Sequence, residues 1–255
     1  MGKIIAVIYS IVSYVLFFAT ALYLIGFVGD FIVPKTINSG LELSFIKAFL
    51  INLCLLSTFA VQHSLMARKS FKSWLTSFMN PAIERSTYVL LSSFALILLY
   101  WQWCPMKTVV WEVNNAIIYW IIMSVFILGW GLVFAATFMM NHFELTGLQQ
   151  VYNHWSDKKT TQGIFKMSYM YKFVRHPLML GFLIVFWATP YMTMGHFLFT
   201  VIMTFYILIS VKYLEEKDLR KELGKAYERY QKEVPMLIPF TKKGERNRGE
   251  KTDQL

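Results

Sequence analysis

Long uninterrupted runs of apolar residues dominate this sequence and constrain its fold more than any other feature. A helix needs about 20 apolar residues to cross the hydrocarbon core of a lipid bilayer. Of the 255 residues, 56% are hydrophobic and only 16% are charged, which excludes an ordinary soluble protein. The apolar runs cover about residues 4–29, 43–66, 88–103, 116–140, 178–189 and 196–214, and four of them are long enough to cross unaided.

The shorter runs are interpreted from their surroundings. Pro190 separates the last two runs, so we interpret residues 178–214 as one helical hairpin. The run 88–103 ends in Trp101 and Trp103, as membrane segments do at the lipid–water interface. The first run is too long for a signal peptide and has no cleavage pattern after it, which predicts a retained helix. The fold class predicted is therefore all-α, a polytopic transmembrane helix bundle of about five to six segments.

The distribution of charge predicts how the segments are oriented. A net charge of +10 is also typical of nucleic-acid-binding proteins, but the basic residues here lie in alternate loops. Basic loops of membrane proteins stay in the cytoplasm. We therefore expect the N-terminus, the loops 67–87 and 141–176 and the C-terminus on the cytoplasmic side. We expect no nucleic-acid partner.

After the hairpin the sequence becomes polar. Residues 215–233 have apolar side chains at helical spacing and charges opposite them, which predicts a cytoplasmic amphipathic helix that ends at Val234-Pro235. Beyond residue 240 there is no apolar face. We therefore expect residues 1–240 to form one membrane domain and residues 241–255 to form a disordered basic tail.

Two further features bear on function. Residues 153–168 form a long polar segment on the predicted cytoplasmic side, and loops of this length are often functional, so we expect a lid or a cofactor-binding loop. Cys54 and Cys104 have no obvious partners, and the histidines lack the paired spacing of a zinc site. No disulfide framework and no metal site are expected.

Ionisable residues from several helix ends are predicted to meet on the cytoplasmic side. His63 lies at the end of the second helix, His142 follows the fourth, Arg175 and His176 begin the hairpin, and Glu215 follows it. Ionisable residues in membrane segments usually mark functional sites, and a charged cytoplasmic cofactor would fit here. Each residue also has a structural interpretation, because an arginine can snorkel to the interface and a lone histidine can bond a carbonyl.

The most distinctive motif is Tyr171-x3-Arg175-His176-Pro177-x3-Gly181, followed beyond the hairpin by Glu215-Glu216 and Gly224-x2-Tyr227-x2-Tyr230-x3-Val234-Pro235. This pattern resembles the C-terminal catalytic region of the integral-membrane methyltransferases, of which the isoprenylcysteine carboxyl methyltransferases are the best known. More closely, the sequence is similar to the methanethiol S-methyltransferases over roughly residues 50–240. That similarity is in Gln62-His63-Ser64, Glu84-Arg85-Ser86, Asn141-His142-Phe143-Glu144-x2-Gly147-Leu148-x-Gln150 and Val174-Arg175-His176-Pro177.

The resemblance implies S-adenosyl-L-methionine as the cofactor and a small thiol as the substrate, with methanethiol converted into dimethyl sulfide. It implies an integral protein of the bacterial inner membrane, in contact with membrane lipid, whose active site faces the cytoplasm. The oligomeric state is left open. The residues implied in catalysis are Arg175, His142 and His63, and those implied in cofactor binding are Tyr171, His176, Pro177, Leu178, Met179, Glu215 and Gln150.

Local geometry adds to two of these assignments. Pro177 suits the first turn of a helix, and the amides that follow it, of Leu178 and Met179, can hold a carboxylate. Glu215 matches the cofactor-binding glutamate of the carboxyl methyltransferases. Because neighbours on an α-helix point about 100° apart, we expect only one of Glu215 and Glu216 to face the site well.

One departure from the carboxyl methyltransferases concerns the acceptor. Those enzymes have an arginine one turn before the matching glutamate, whereas this chain has Val211 with Lys212 beside it. Lysine cannot bind a carboxylate bidentately as arginine does, so an anionic acceptor is disfavoured. Three alternatives remain open: methylation of a lipophilic acceptor such as a prenylcysteine carboxylate or a phospholipid amine, a sterol-type reductase that binds a nicotinamide, and a non-catalytic membrane accessory protein of the nitric-oxide-associated (NnrU-like) family.

Overall fold

The computed structural model describes residues 2–158 and 169–241 as a bundle of helices with one small sheet. The predicted all-α class is confirmed. The predicted lid or cofactor loop falls largely on residues 159–168 and the predicted disordered tail on residues 242–255, and both lie outside the described residues. The helices are α1 (Lys3–Gly29), α2 (Phe45–Met66), α3 (Lys69–Thr76), α4 (Glu84–Gln102), α5 (Ala116–Met139), α6 (His142–Thr146), α7 (Leu148–Trp155), α8 (Pro177–Trp187), α9 (Met194–Ile209), α10 (Glu216–Leu223) and α11 (Lys225–Glu233).

Within the described residues, five helical segments are long and apolar enough to cross a membrane, and a shorter apolar helix, α8, precedes the last of them. Their outward faces carry large apolar side chains, such as Ile8 of α1 and Leu128 of α5. Such surfaces suit lipid and would be unfavourable in water. The protein is therefore an integral membrane protein. The five segments are Lys3–Gly29, Phe45–Met66, Pro81–Gln102, Ala116–Met139 and Met194–Leu223.

The predicted C-terminal hairpin is formed by α8 and α9. Its tip contains a short strand, β2 (Tyr191–Thr193), which pairs antiparallel with β1 (Val109–Glu112) in the loop between α4 and α5. Val109 is opposite Thr193, and Glu112 is opposite Tyr191. The tip of the hairpin is thereby joined to the loop at the opposite end of the bundle from the hairpin's first and last residues.

Close helix packing positions α8 against α5. A β-carbon at Gly181 would lie 2.7 Å from a methyl group of Val133 and 3.0 Å from the carbonyl oxygen of Gly129. A β-carbon at Gly129 would lie 2.9 Å from methyl groups of Ile184 and Val185. Small residues allow helix backbones to approach this closely in membranes. The contact fixes α8 alongside α5.

The segments predicted to share the cytoplasmic side lie together at one end of the bundle. Lys3 of α1 pairs with Asp157 after α7 at 2.7 Å, and Arg68 beside α3 pairs with Asp218 of α10 at 3.4 Å. These pairs are partly exposed and add little stability, but they show which segments are neighbours. We call this the basic end; it contains the N-terminus, residues 67–87, residues 141–158 and the helices α10 and α11.

The amphipathic segment after the hairpin is predicted to be one helix, but the structure has two, α10 and α11. Gly224 has φ +57° and ψ −134°, a conformation that side chains other than glycine's rarely allow, and it separates α10 from α11. The buried faces of Tyr227 and Tyr230 pack with Val234 in a separate apolar cluster. The break lets α11 turn back over the start of α8.

Candidate functional site

A π-helical segment, Ser210–Glu215, connects α9 to α10. Such segments change the direction in which successive side chains leave a helix and are frequent at functional sites. Both acidic neighbours reach the same imidazole here, since His176 Nδ1 lies 3.4 Å from Glu215 Oε1 and His176 Nε2 lies 3.2 Å from Glu216 Oε1. The π-helical segment thus brings to one imidazole two carboxylates that would point about 100° apart on a regular α-helix.

Arg175 and Glu216 form a buried ion pair. The Nε and Nη2 atoms of Arg175 each lie 2.6 Å from Glu216 Oε1. Arg175 Nη1 donates to the carbonyl oxygen of Gln231 at 3.1 Å and to that of Val234. The amide of Gln231 donates to the second carboxylate oxygen of Glu216 at 2.8 Å. These additional bonds are what a buried ion pair needs to offset the desolvation of its charges.

The chain after α11 covers the start of α8. The backbone amides of Arg175 and His176 donate to the carbonyl oxygens of Pro235, at 2.9 Å, and Met236, at 3.2 Å. The hydroxyl of Tyr230 donates to the carbonyl oxygen of Tyr171 at 2.6 Å. The C-terminal part of the motif therefore holds the segment around Tyr171 and Arg175 in place.

His176 carries a proton at neutral pH. Burial alone would lower the pKa of its imidazole, but hydrogen bonds and charge interactions with Glu215 and Glu216 outweigh burial and raise the pKa to about 9. The side chain of Glu216 is 8% exposed, whereas that of Glu215 is 39% exposed. Glu216 is therefore committed to internal partners, and Glu215 is the carboxylate that remains accessible to a ligand.

Several buried polar atoms at the basic end have no hydrogen-bond partner among the described residues. Tyr171 Oη and Gln150 Oε1 are two of them, although the amide nitrogen of Gln150 donates to the carbonyl oxygen of Glu144 at 3.0 Å. Burial, followed by the nearby charge of Glu215, raises the pKa of Tyr171. Buried polar atoms are normally bonded, so such a group suits a polar ligand. The others at this end are Gln62 Oε1, Arg68 Nε and Glu84 Oε1.

The first turn of α8 offers backbone donors to the same region. His176 precedes the helix, Pro177 occupies its first turn, and the first helical bond runs from the amide of Leu180 to the carbonyl oxygen of His176. The amides of Leu178 and Met179 therefore have no partner within the helix. Their side chains pack against the main apolar core, which keeps the turn in place.

His63 belongs to a polar group about one turn before the end of α2. The hydroxyl oxygen of Tyr88 lies 2.8 Å from His63 Nε2 and 3.0 Å from its Nδ1, and the hydroxyl of Ser92 lies 3.3 Å from Nδ1. The ring stacks on Phe59, with the centroids 5.3 Å apart. The sequence reasoning missed Tyr88, although it follows Glu84-Arg85-Ser86 by a fraction of one turn.

His142 lies in a different polar group. Its Nε2 is 3.1 Å from the hydroxyl of Tyr14 in α1, and its Nδ1 is 3.3 Å from the hydroxyl of Thr137 in α5. The ring stacks on Phe138 with centroids 4.7 Å apart, and burial lowers its pKa. Among the residues the structure describes, no hydrogen bond or ion pair joins His142 to Arg175 or Glu216.

Two of the sequence motifs meet where α4 begins. Arg85 Nε donates to the carbonyl oxygen of Leu145 at 2.8 Å, and Gly147 has φ +93°. A β-carbon at Gly147 would lie 2.5 Å from Ser86 Oγ and 2.7 Å from Ser86 N. The hydroxyl of Ser86 in turn donates to that of Ser10 at 2.7 Å. Only glycine at position 147 lets the segment of α6 and α7 approach α4 this closely.

Comparisons with known proteins identify relatives of this chain. The family model described as NnrU protein matches residues 50–238. The chain is 51% identical to methanethiol S-methyltransferase 1 of Bradyrhizobium diazoefficiens, over 93% of this chain and 83% of that protein. It is 49% identical to methanethiol S-methyltransferase of Mycobacterium tuberculosis, over 94% of this chain and 98% of that protein. Mouse nurim is more distant, at 31% identity over 66% of this chain and 67% of its own. No solved structure matches.

Proposed function

The chain belongs to the NnrU protein family, and we propose that it is a membrane methyltransferase that methylates methanethiol with S-adenosyl-L-methionine and releases dimethyl sulfide. The observation that carries this proposal is the identity of 45–51% to proteins named methanethiol S-methyltransferase, over 93–94% of this chain. The family model spans residues 50–238, a range that contains the residues of the candidate site.

The residues at the basic end fit this cofactor. S-adenosyl-L-methionine has a carboxylate, an ammonium group and several neutral polar groups. The amides of Leu178 and Met179 suit the carboxylate, because the start of a helix binds anions. Glu215 is accessible and suits the ammonium group. The buried Tyr171 Oη and Gln150 Oε1 suit the remaining polar groups. When bound, the cofactor supplies a methyl group on a positively charged sulfur.

The chain's own residues hold these contacts in position. Arg175, through Glu216 and the carbonyl oxygens of Gln231 in α11 and Val234 after it, fixes the start of α8. His176 and Pro177 set the first turn of that helix. Holding reacting groups in a fixed orientation can contribute about 7–11 kcal/mol to a two-substrate reaction. In this proposal Arg175 acts by positioning, since its guanidinium donates to protein acceptors. His142 has hydroxyl partners at both nitrogens, which supports a role in joining α1 to α5.

The surroundings of Glu215 support a small neutral acceptor. Val211 is fully buried in the core, and the ammonium group of Lys212 lies over the ring of Tyr213 at 5.3 Å, on an exposed face. Neither residue offers a guanidinium fork for a carboxylate. A thiol needs no such partner, because it reaches the site uncharged.

The basic end faces the cytoplasm in this proposal, and the membrane is the bacterial inner membrane. Cytoplasmic loops carry an excess of lysine and arginine, and the loops at the basic end match that rule. A cytoplasmic site would also be supplied directly with a charged, water-soluble cofactor. Labelling of single cysteines, introduced at residue 72 or 107, in intact cells with a membrane-impermeant reagent tests the orientation. Reaction at 72 but not at 107 would contradict it.

The activity is tested with purified protein in nanodiscs. Dimethyl sulfide is measured in the headspace after addition of methanethiol with and without S-adenosyl-L-methionine. Product should require both compounds and should fall with Glu215→Gln. Parallel reactions with a farnesylated cysteine, with phosphatidylethanolamine and with NADPH test the alternative activities. Turnover of the farnesylated cysteine at the rate found for methanethiol would contradict the proposal.

A further inference from the structure

A groove runs along the outer surface of the bundle between α1 and α4. Its volume is about 460 Å³, within the range of ligand-binding sites in proteins. Both helices belong to membrane-spanning segments, and Ala19 and Ile97 on its walls are exposed, so the groove opens towards the hydrocarbon of the bilayer. The lining residues that bear on its occupant are Leu16, Ala19, Tyr23, Lys35, Ile97 and Trp101.

The groove exists because Ala19 is small. One residue further on, α1 is joined to α4, since the hydroxyl of Tyr100 donates to the carbonyl oxygen of Thr20 at 3.1 Å. The methyl side chain of Ala19 leaves the outer part of this contact unfilled. From Leu16 to Tyr23 the groove follows α1 for two turns, about 10 Å. A narrow apolar groove of this length suits a hydrocarbon chain, which packs along it without polar partners.

Lys35 lies at one end of the groove, and two neighbours fix its position. The hydroxyl of Tyr23 donates to the carbonyl oxygen of Lys35 at 3.0 Å and accepts from its amide at 3.2 Å. The ammonium group of Lys35 donates to the carbonyl oxygen of Trp101, in the last turn of α4, at 2.5 Å. Within residues 2–158 and 169–241, no carboxylate lies within ion-pair distance of this ammonium group.

The bond to Trp101 does not use the whole ammonium group of Lys35. Lysines commonly bond the last carbonyl oxygens of a helix, and this contact has that structural role for α4. An ammonium group has three N–H donors, however, and the Trp101 carbonyl oxygen accepts from one of them. The positive charge and the other two donors therefore remain available to an anionic group at the end of the groove.

A second cavity at the same end of the bundle lacks such a charge. Its volume is about 340 Å³, and it lies where α5 approaches the end of α8. Trp111, Val125 and Trp187 line it, and none of its lining residues in the described part of the chain is charged. The combination of an apolar groove with a lysine at its end thus distinguishes the cavity between α1 and α4.

We propose that the groove between α1 and α4 binds one phospholipid, with an acyl chain against Ala19 and the phosphate at Lys35. An apolar groove that ends in a positive charge is complementary to a molecule with a hydrocarbon chain and an anionic head. Lys35 follows α1, and the exposed indole of Trp101 is typical of the level at which headgroups lie. The site is at the opposite end of the bundle from Glu215, so this inference does not rest on the proposed methyl transfer.

Photoreactive lipids test the site in the full-length protein. Nanodiscs of phosphatidylcholine are prepared with a small fraction of phosphatidylglycerol that carries a diazirine on one acyl chain, and cross-linked peptides are identified by mass spectrometry. Labels should concentrate on Leu16, Ala19 and Ile97. The exposed Leu128 of α5 reports contact with the surrounding bilayer. Equal labelling of the groove and of Leu128 would indicate ordinary bilayer contact only and would overturn the inference.

Two substitutions test the acyl chain and the headgroup separately. Ala19→Leu fills the groove and should remove the excess of labelling there, whereas Ala135→Leu, at another exposed alanine, should leave that excess unchanged. Lys35→Gln should lower labelling by phosphatidylglycerol about fivefold, because one lysine near the membrane surface attracts an anionic lipid by that factor. Labelling by diazirine phosphatidylcholine should stay the same. Lys107→Gln, at an exposed lysine of the same end, should change neither.

Three outcomes would contradict the proposal. Loss of the excess labelling in Ala135→Leu as well would attribute the effect to a general change of the lipid-facing surface. Equal labelling of the unmodified groove by the two lipids would contradict the role of Lys35. A groove that stays unlabelled but cross-links to a second copy of the chain would be a protein interface. Because the map of labels on the unmodified protein needs no variant, it decides the question even where a variant fails to fold.

Discussion

Arg175 and Glu216 meet through a single oxygen, since both Nε and Nη2 of the guanidinium lie 2.6 Å from Glu216 Oε1. The side chain of Arg175 is 6% exposed and that of Glu216 is 8% exposed. The second oxygen of Glu216 accepts from Gln231, and the remaining donor of Arg175 reaches the carbonyl of Val234. One ion pair thus joins the start of α8, the start of α10 and the segment after α11.

The ion pair predicts a strong stability effect. Removing one partner of a buried pair leaves the other charge uncompensated and typically costs about 3–5 kcal/mol. Arg175→Met should therefore lower the free energy of unfolding by that amount, as measured by denaturant titration in detergent. The double variant Arg175→Met/Glu216→Leu should lose about 1–3 kcal/mol less than the sum of the two single variants. Strict additivity would contradict the coupling seen in the structure.

Glu215→Gln should affect ligand binding more than stability. Glu215 is partly exposed and has one partner, His176, among the residues that the structure describes, whereas Glu216 has several. We expect Glu215→Gln to weaken the binding of S-adenosylhomocysteine by about tenfold or more, because a charged hydrogen bond contributes about 1.5–3 kcal/mol. Calorimetric titration measures this, with the melting temperature as the control. Glu216→Gln should instead lower the melting temperature more than Glu215→Gln does.

His176 predicts a pH-dependent stability. Its pKa is about 9 in the folded protein, against 6.5 for an unperturbed histidine, so folding favours the protonated form. The contribution to stability is complete below pH 6.5 and is lost as the pH rises through about 9. The melting temperature should therefore fall between pH 7 and pH 10, and His176→Gln should remove part of that fall. Parallel pH curves for the two proteins would contradict the assignment.

Gly147 and Gly131 provide a matched pair of glycines. A β-carbon at Gly147 would lie 2.5 Å from Ser86 Oγ, and the backbone there has φ +93°. At Gly131, inside α5, a β-carbon would have no atom of the described residues within 4 Å outside its own helix turn. Gly147→Ala should destabilise the protein by more than about 1 kcal/mol, whereas Gly131→Ala should be neutral or stabilise it by up to about 1 kcal/mol. Thermal unfolding of both variants measures the difference.

Much of the architecture follows from the sequence. Apolar runs and the alternation of basic loops predict the spans, the hairpin and the group of segments at the basic end, because both depend on the preferences of single residues for lipid and water. The motif Tyr171-x3-Arg175-His176-Pro177 likewise indicates where the hairpin starts. These features can be predicted without knowing which side chains are in contact.

The partners within the site follow less directly from the sequence. The π-helical segment that brings Glu215 and Glu216 to one imidazole depends on how α9 packs, not on a local residue pattern. The same holds for Gly224, which separates two helices where the charge pattern predicts one. Tyr88 was missed because an aromatic residue inside an apolar run gives no signal until its neighbour across the bundle, His63, is known.

The sheet at the hairpin tip has a consequence for how ligands exchange. Pairing of β2 with β1 holds the C-terminal end of α8, and the close contact of Gly181 with α5 holds its middle. The backbone amides of Arg175 and His176 donate to the carbonyl oxygens of Pro235 and Met236, so the segment after α11 holds the start of α8 as well. Helix α8 is thus held by neighbouring elements along its length. Its first turn therefore cannot move away from the bundle to admit a ligand. We therefore expect ligands to exchange at the site while α8 stays in place.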